Sequence, residues 1–118
     1  QLGIDAVRPG ARLNVIGEAI EAFAKSQGCS VVREFGGHGI GRVMHHAPHV
    51  NHHKTWVAGP IMVPGMCFTI EPMVCLGNAD LAVLDDEWTV VTRDGSLSAQ
   101  AEHTILVTKD GAEILTLA

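Results

Sequence analysis

The sequence contains no tyrosine, and its aromatic residues are limited to three phenylalanines and two tryptophans. An apolar core therefore has to be built mainly from aliphatic side chains. Hydrophobic residues make up 47% of the chain, which excludes intrinsic disorder. Because 118 residues are enough to bury a core, we treat residues 1–118 as a single domain.

Other absences narrow the class of protein. The cysteines (Cys29, Cys67 and Cys75) are odd in number and form no Cys-x-x-Cys pair, which argues against a disulfide framework or a zinc knuckle and favours a reducing cytoplasm. No apolar run reaches the roughly 18 residues of a membrane-spanning helix, and no signal peptide is visible. The net charge is −5 and no basic stripe is present, so neither a membrane nor a nucleic acid is an expected partner.

The spacing of apolar residues predicts one amphipathic helix, over residues 12–27, that Gly28 ends. Its apolar face consists of Leu13, Ile16, Ile20 and Phe23. Strands are predicted for six further segments, at 30–35, 66–76, 81–84, 88–92, 98–108 and 113–117. This order predicts an α+β fold in which the helix packs on a mostly antiparallel sheet.

Turn signals separate the predicted strands. The acidic residues 85–87 (Asp-Asp-Glu) are interpreted as a solvated turn. Asp94-Gly95 and Asp110-Gly111 are typical of hairpin turns. The first residues, Gln1-Leu2-Gly3, contain no methionine and resemble the middle of a helix, which suggests a fragment, a processed product or a deliberately shortened chain.

Three residues could carry metal chemistry. His38 lies in a glycine-rich segment, residues 36–41, that is predicted to be a turn, and Glu71 and Glu102 each lie within a predicted strand. A buried carboxylate needs a cation, hydrogen bonds or water, and two carboxylates with one histidine suit a divalent transition metal. The alternative is that both glutamates point to solvent from a one-sided sheet, which composition alone favours.

A second group of histidines competes for the same role. It comprises His45, His46, His49, His52 and His53, five histidines in nine positions. The segment 45–53 contains Pro48 and is predicted to be a loop, so the histidines have no defined ligand geometry. We therefore interpret it as a solvated loop that binds metal only incidentally.

Three separated motifs resemble one family. They are Gly-His-Gly-Ile-Gly-Arg at 37–42, Pro-Gly-Met-Cys-Phe-Thr-Ile-Glu-Pro-Met at 64–73 and Ser-Leu-Ser-Ala-Gln-Ala-Glu-His-Thr at 96–104. In this order they resemble type I methionine aminopeptidases, and the resemblance covers essentially the whole chain. It implies the C-terminal half of a pita-bread fold, a cytoplasmic location and metal-dependent removal of the initiator methionine from new polypeptides.

The resemblance also implies roles for individual residues. His38, Glu71 and Glu102 correspond to metal ligands, with Glu71 also transferring a proton from the nucleophilic water and Glu102 bridging two metals. His45 corresponds to a histidine that contacts the substrate carbonyl and stabilises the tetrahedral intermediate. Trp88 corresponds to an aromatic residue of the methionine pocket, and Met44 stands where the family usually has phenylalanine.

The family's complete site holds two divalent ions (manganese, iron or cobalt) and uses further ligands, two aspartates, from the N-terminal half. The resemblance therefore implies that this chain holds at most one metal, weakly, and needs that half for full activity. Its expected partners are the N-terminal methionine of peptides and either the missing half or a second copy of itself. The alternative is a catalytically inactive half-domain that binds metal weakly or serves as a self-associating folding or interaction module.

Overall fold

The computed structural model describes residues 1–117, which form two helices and ten short strands. The helices are α1 (Leu2–Asp5) and α2 (Asn14–Ser26). The strands are β1 (Ser30–Val31), β2 (Gly37–Gly39), β3 (His46–Val50), β4 (Cys67–Ile70), β5 (Met73–Cys75), β6 (Leu81–Val83), β7 (Val90–Thr92), β8 (Ser98–Gln100), β9 (His103–Val107) and β10 (Ala112–Ile114). Within residues 1–117, no helix has both the length and the apolar character that crossing a bilayer requires.

The strands form three antiparallel sheets. A five-stranded sheet has the order β10-β9-β4-β2-β3, a three-stranded sheet has the order β1-β5-β8, and β6 pairs with β7 alone. Every strand pair in the described part of the chain is antiparallel. The predicted α+β class, with one main helix packed on antiparallel sheet, is confirmed.

The core lies between α2 and the five-stranded sheet. The helix buries Ile16, Ile20 and Ala24, and Phe68 and Ile105 are buried on the sheet. Gly28, with φ of 71°, follows the helix as predicted, because its missing Cβ makes the left-handed conformation accessible.

One helical expectation is wrong. Phe23 was expected on the buried face, but about half of its surface is exposed. The apolar stripe of α2 is wider than the surface that packs on it, and Phe23 lies at the edge, lining an open apolar cleft of about 430 Å³ together with Leu2 and Val74.

The two longest predicted strands are each broken in two. Residues 66–76 form β4 and β5 with Glu71-Pro72 between them, and residues 98–108 form β8 and β9 with Ala101-Glu102 between them. The breaks lie opposite each other, because β4 pairs with β9 in one sheet and β5 pairs with β8 in another. Pro72 has no N–H to contribute to a ladder, which favours a break there. Glu71 and Glu102 therefore lie at the joint between two sheets and not within strands.

The glycine-rich segment and the histidine-rich segment also differ from expectation. His38 lies on β2 and not in a turn, and residues 46–50 form the edge strand β3 and not a loop. Gly37 allows β2 to approach β4 closely, since a Cβ there would collide with the carbonyl oxygen of Thr69. Backbone pairing makes both segments strands, because β2 pairs with β4 on one side and with β3 on the other. Residue types alone do not reveal this pairing.

The remaining boundaries were predicted with mixed success. Asp110-Gly111 joins β9 to β10 as expected, and residues 85–87 form an exposed turn between β6 and β7. Asp94-Gly95 is a turn, but it joins strands of different sheets, so the predicted hairpin there is wrong. The strand predicted at 30–35 is limited to β1, since only its first two residues pair with β5.

Candidate metal centre

Three side chains from separate parts of the sequence converge at the joint between the sheets. Ligand atoms of His38, Glu71 and Glu102 all lie within 4.8 Å of one another. His38 Nε2 is 3.4 Å from Glu71 Oε1. His38 comes from β2, Glu71 from the β4–β5 break and Glu102 from the β8–β9 break. The fold thus assembles the group from the middle of β2 and from two breaks between strands.

The donor set fits a divalent cation. One imidazole nitrogen and two carboxylates are a mixture that manganese, iron and cobalt accept. Nitrogen and oxygen ligands at about 2.1 Å from one metal lie roughly 3 Å apart, close to the observed separation of 3.4 Å between His38 and Glu71. Both of these side chains are only 16% exposed, whereas Glu102 is exposed, so the group opens to solvent on one side.

Thr69 connects two members of this group. Its hydroxyl accepts a hydrogen bond from the His38 backbone N–H at 3.0 Å and donates one to Glu71 Oε1 at 2.8 Å. The side chain is buried. Sequence reasoning did not assign Thr69 a role, although its position two residues before Glu71 on a predicted strand placed both on one face.

Two more side chains hold Glu71. Gln100 Nε2 donates to the Glu71 carbonyl oxygen at 3.1 Å and lies 3.4 Å from Oε2. The Glu71 backbone N–H donates to Nε2 of His52 at 3.1 Å. Burial lowers the pKa of His52 to about 4, with smaller contributions from His49 and His53, so the ring is neutral at neutral pH.

The solvated-loop interpretation is therefore wrong for His52, which is only 2% exposed. The only signal in the sequence was its two-residue spacing from Val50, a buried residue at the end of β3. Within residues 1–117, the converging group of three donors consists of His38, Glu71 and Glu102 and includes no histidine of segment 45–53.

The predicted substrate-binding residues are less enclosed. The His45 ring lies next to the group, with its centroid 4.3 Å from that of His38 and the planes tilted by 56°. Met44 is 69% exposed in the segment before β3, and Trp88 is 86% exposed in the loop that connects β6 to β7. Neither Met44 nor Trp88 is enclosed by other side chains of residues 1–117.

Comparisons with known proteins agree with this geometry. The chain is 54% identical to Methionine aminopeptidase A of Synechocystis sp., over 99% of the chain and 46% of that protein. It is 52% identical to the methionine aminopeptidase of Escherichia coli strain K12, over 98% of the chain and 44% of that protein. The crystal structure of methionine aminopeptidase from Rickettsia prowazekii superposes with a TM-score of 0.94 and 53% identity, over 98% of the chain and 47% of that structure.

The chain therefore spans less than half the length of the relatives that it matches. The superposition confirms the expected half of a pita-bread fold. The model of Metallopeptidase family M24 matches residues 1–109. This range includes all three converging donors and both strand breaks at the joint between the sheets. The chain belongs to metallopeptidase family M24.

Proposed function

We propose that this chain is the catalytic half of a metal-dependent methionine aminopeptidase, acting in the cytoplasm. It removes the N-terminal methionine of polypeptides when it is joined to, or paired with, the N-terminal half that its relatives have. The observation that carries this proposal is the convergence of His38, Glu71 and Glu102 within 4.8 Å. Identity of 52–54% to methionine aminopeptidases over almost the whole chain supports it.

His38, Glu71 and Glu102 would hold the cation, which we propose to be manganese, iron or cobalt. When bound, a divalent ion supplies Lewis-acid activation of water and of the scissile carbonyl. The family resemblance implies two ions in a complete site. Three donors are too few for both, so we propose that this chain alone holds at most one ion, weakly.

The other proposed roles belong to the chain's own side chains. Glu71 accepts the proton of the attacking water, and the Thr69 hydroxyl on its Oε1 fixes the carboxylate for this step. His45, adjacent to His38, donates a hydrogen bond to the carbonyl oxygen where negative charge develops. Met44 and Trp88 form one side of the methionine pocket, and their exposure fits a pocket that the partner completes.

Exposed apolar residues favour a second candidate function. Trp56, Trp88 and Leu97 are large apolar side chains open to solvent. Surfaces of this kind are typical of association sites. The second candidate is therefore a catalytically inactive half-domain that binds metal weakly and associates with itself or with another protein.

Hydrolysis of a Met-Ala peptide separates the two. The assay uses added Mn²⁺ or Co²⁺, with the chain alone and with the chain mixed with the N-terminal part of a related methionine aminopeptidase. We expect turnover only in the mixture, and its loss in Glu71→Ala and Glu102→Ala. Turnover by the chain alone would contradict the need for a partner, and an inactive mixture would favour the second candidate.

Metal analysis tests the ligands directly. We expect the purified chain to bind Mn²⁺ and both glutamate variants to bind less. If both variants retain the metal, the histidines of segment 45–53 are the binding site and the proposed centre is wrong.

A further inference from the structure

Glu71 lies where neither sheet holds its backbone. β4 ends at Ile70 and β5 begins at Met73, so the ladder pairs on both sides stop short of Glu71. Side chains take their place: Gln100 donates to the Glu71 carbonyl oxygen, and His52 Nε2 accepts from the Glu71 N–H. The orientation of this carboxylate therefore depends on groups outside the two ladders.

His52 is suited to hold an N–H in place. A ring nitrogen that accepts a hydrogen bond must be unprotonated, so the ring carries its proton on Nδ1. With 2% of the residue exposed, water cannot readily replace the imidazole as acceptor. Removing the acceptor would leave the partly buried Glu71 N–H without its partner, which is costly.

The segment that carries His52 is itself fixed to α2. Gly17 allows close contact there, since a Cβ at this position would collide with the carbonyl oxygen of His53. One turn further along the helix, Glu21 Oε2 accepts a hydrogen bond from the Lys54 N–H at 3.0 Å. The helix thus anchors residues 53 and 54, immediately after His52, and limits the movement of its ring.

We infer that His52 is a positioning residue for Glu71, and that it links the main helix to the proposed metal centre. It acts through the Glu71 backbone and contributes no ligand of its own. This inference rests on the proposed function, because it concerns how a proposed ligand is oriented. The competing explanation is that His52 only fills space in the interior.

Amide hydrogen exchange of Glu71, followed by NMR in the metal-free chain, tests the hydrogen bond. His52→Leu fills a similar volume but removes the acceptor, and we expect Glu71 exchange to be at least about tenfold faster. His52→Gln places an amide oxygen at a similar reach, and we expect it to restore protection. His46→Leu is the control, because His46 is exposed and should leave exchange unchanged. Unchanged protection in His52→Leu would overturn the inference.

Mn²⁺ affinity, measured by electron paramagnetic resonance, tests the consequence. Loss of an outer hydrogen-bond partner of a metal ligand typically weakens binding about 10- to 100-fold, and we expect this for His52→Leu but not for His52→Gln. In a Glu71→Gln background, His52→Leu should have no further effect, since it acts through Glu71. An equal loss in that background would show a general effect on the fold and overturn the inference.

These measurements separate the inference from the proposed function. If His52→Leu weakens Mn²⁺ binding but the mixture does not hydrolyse the Met-Ala peptide, the proposed function is refuted and the positioning role stands. Wild-type binding that His52→Leu does not change would refute only the positioning role. If the wild-type chain binds no Mn²⁺, the proposed centre is wrong and the role of His52 is wrong with it.

Discussion

At the scale of single residues, Thr69 connects two proposed ligands through its hydroxyl group. Thr69→Val removes the hydroxyl that bonds both the His38 N–H and Glu71 Oε1. We expect the free energy of unfolding to fall by about 1–3 kcal/mol and Mn²⁺ affinity to fall about tenfold. Urea unfolding and Mn²⁺ titration measure the two effects. Thr69→Ser keeps the hydroxyl and is the control; wild-type affinity in Thr69→Val would contradict the prediction.

His45 should behave differently from the ligands. It lies next to His38 but does not belong to the converging donor group. If its role is to donate to the substrate carbonyl, His45→Ala should lower kcat of the chain mixed with its complementary half about 100-fold. Mn²⁺ affinity should stay within about twofold of wild type. The neighbouring exposed residue serves as control, with His46→Ala expected to change neither value, and a large loss of metal affinity in His45→Ala would instead make His45 a ligand.

The residue types alone made the site a candidate but left the solvent-exposed alternative open, and the resemblance to type I methionine aminopeptidases decided between the two. Glu71 and Glu102 stand out because an isolated carboxylate is costly within an apolar segment. Thr69 could have been added from the two-residue period of a strand. His52 was missed, because its segment is buried against α2, where the backbone of Asn51 and His53 approaches Gly17, far away in the sequence, and four of the five residues from 49 to 53 are polar.

At the scale of elements, the β2–β4 contact depends on Gly37. A Cβ at this position would collide with the carbonyl oxygen of Thr69, and either strand would have to move. We expect Gly37→Ala to lower the free energy of unfolding by about 1–3 kcal/mol and to weaken Mn²⁺ binding. Chemical unfolding and Mn²⁺ titration test this. Gly41→Ala is the control, since a Cβ there would meet no atom within 4 Å; equal effects of the two substitutions would contradict the steric explanation.

The second element-scale contact is the anchor at Glu21 on α2. Its buried carboxylate accepts hydrogen bonds from the Lys54 N–H at 3.0 Å and from Arg33 at 2.7 Å. Lys25 lies 3.3 Å away, and His53 also faces the group. Burial acts to raise the pKa of Glu21, but the Lys54 hydrogen bond and the two cations outweigh it, so the pKa lies below its ordinary value of 4.5.

The lowered pKa of Glu21 predicts that the free energy of unfolding depends on pH. Because the folded-state pKa is below that of the unfolded chain, the stabilisation is fully present above about pH 4.5 and is lost as the pH falls through the folded-state value. Glu21→Gln should lower the free energy of unfolding at neutral pH by about 1–3 kcal/mol, and less than that at acid pH. Arg33 and Lys25 are 59% and 64% exposed, so most of the effect should come from the Lys54 hydrogen bond.

Urea unfolding over the acid and neutral range measures this dependence. Glu18→Gln, on the same helix, is the matched control, because Glu18 makes no ion pair or side-chain hydrogen bond within residues 1–117. A Glu21→Gln variant with the same pH profile as wild type would show that the anchor does not contribute to stability.

Elements were predictable where one local signal decides them. The period of apolar residues identified α2, and Asp110-Gly111 identified the last hairpin. The breaks at Glu71-Pro72 and Ala101-Glu102 depend on which strands share a sheet, and that is a property of the whole fold. β3 was missed because it is polar and contains Pro48, which an edge strand tolerates.

At the scale of the whole molecule, the chain spans 44–46% of the length of its curated relatives, and much of its apolar surface is open. The apolar cleft beside Phe23 and the exposed Trp88 are two parts of this surface. In the described five-stranded sheet, β3 and β10 are edge strands, which can pair with another chain.

We therefore predict that the chain self-associates, or binds a complementary half, and does not remain a monomer. Sedimentation over a range of concentrations should show a fraction of dimer that increases with concentration. Raising the salt concentration should not dissociate it, because apolar contacts, unlike exposed ion pairs, are not screened. Adding the N-terminal part of a related methionine aminopeptidase should replace the dimer by a one-to-one complex, since both would cover the same apolar surface. A single monomeric species at high concentration would contradict the prediction, and a dimer that salt dissociates would assign the association to charges.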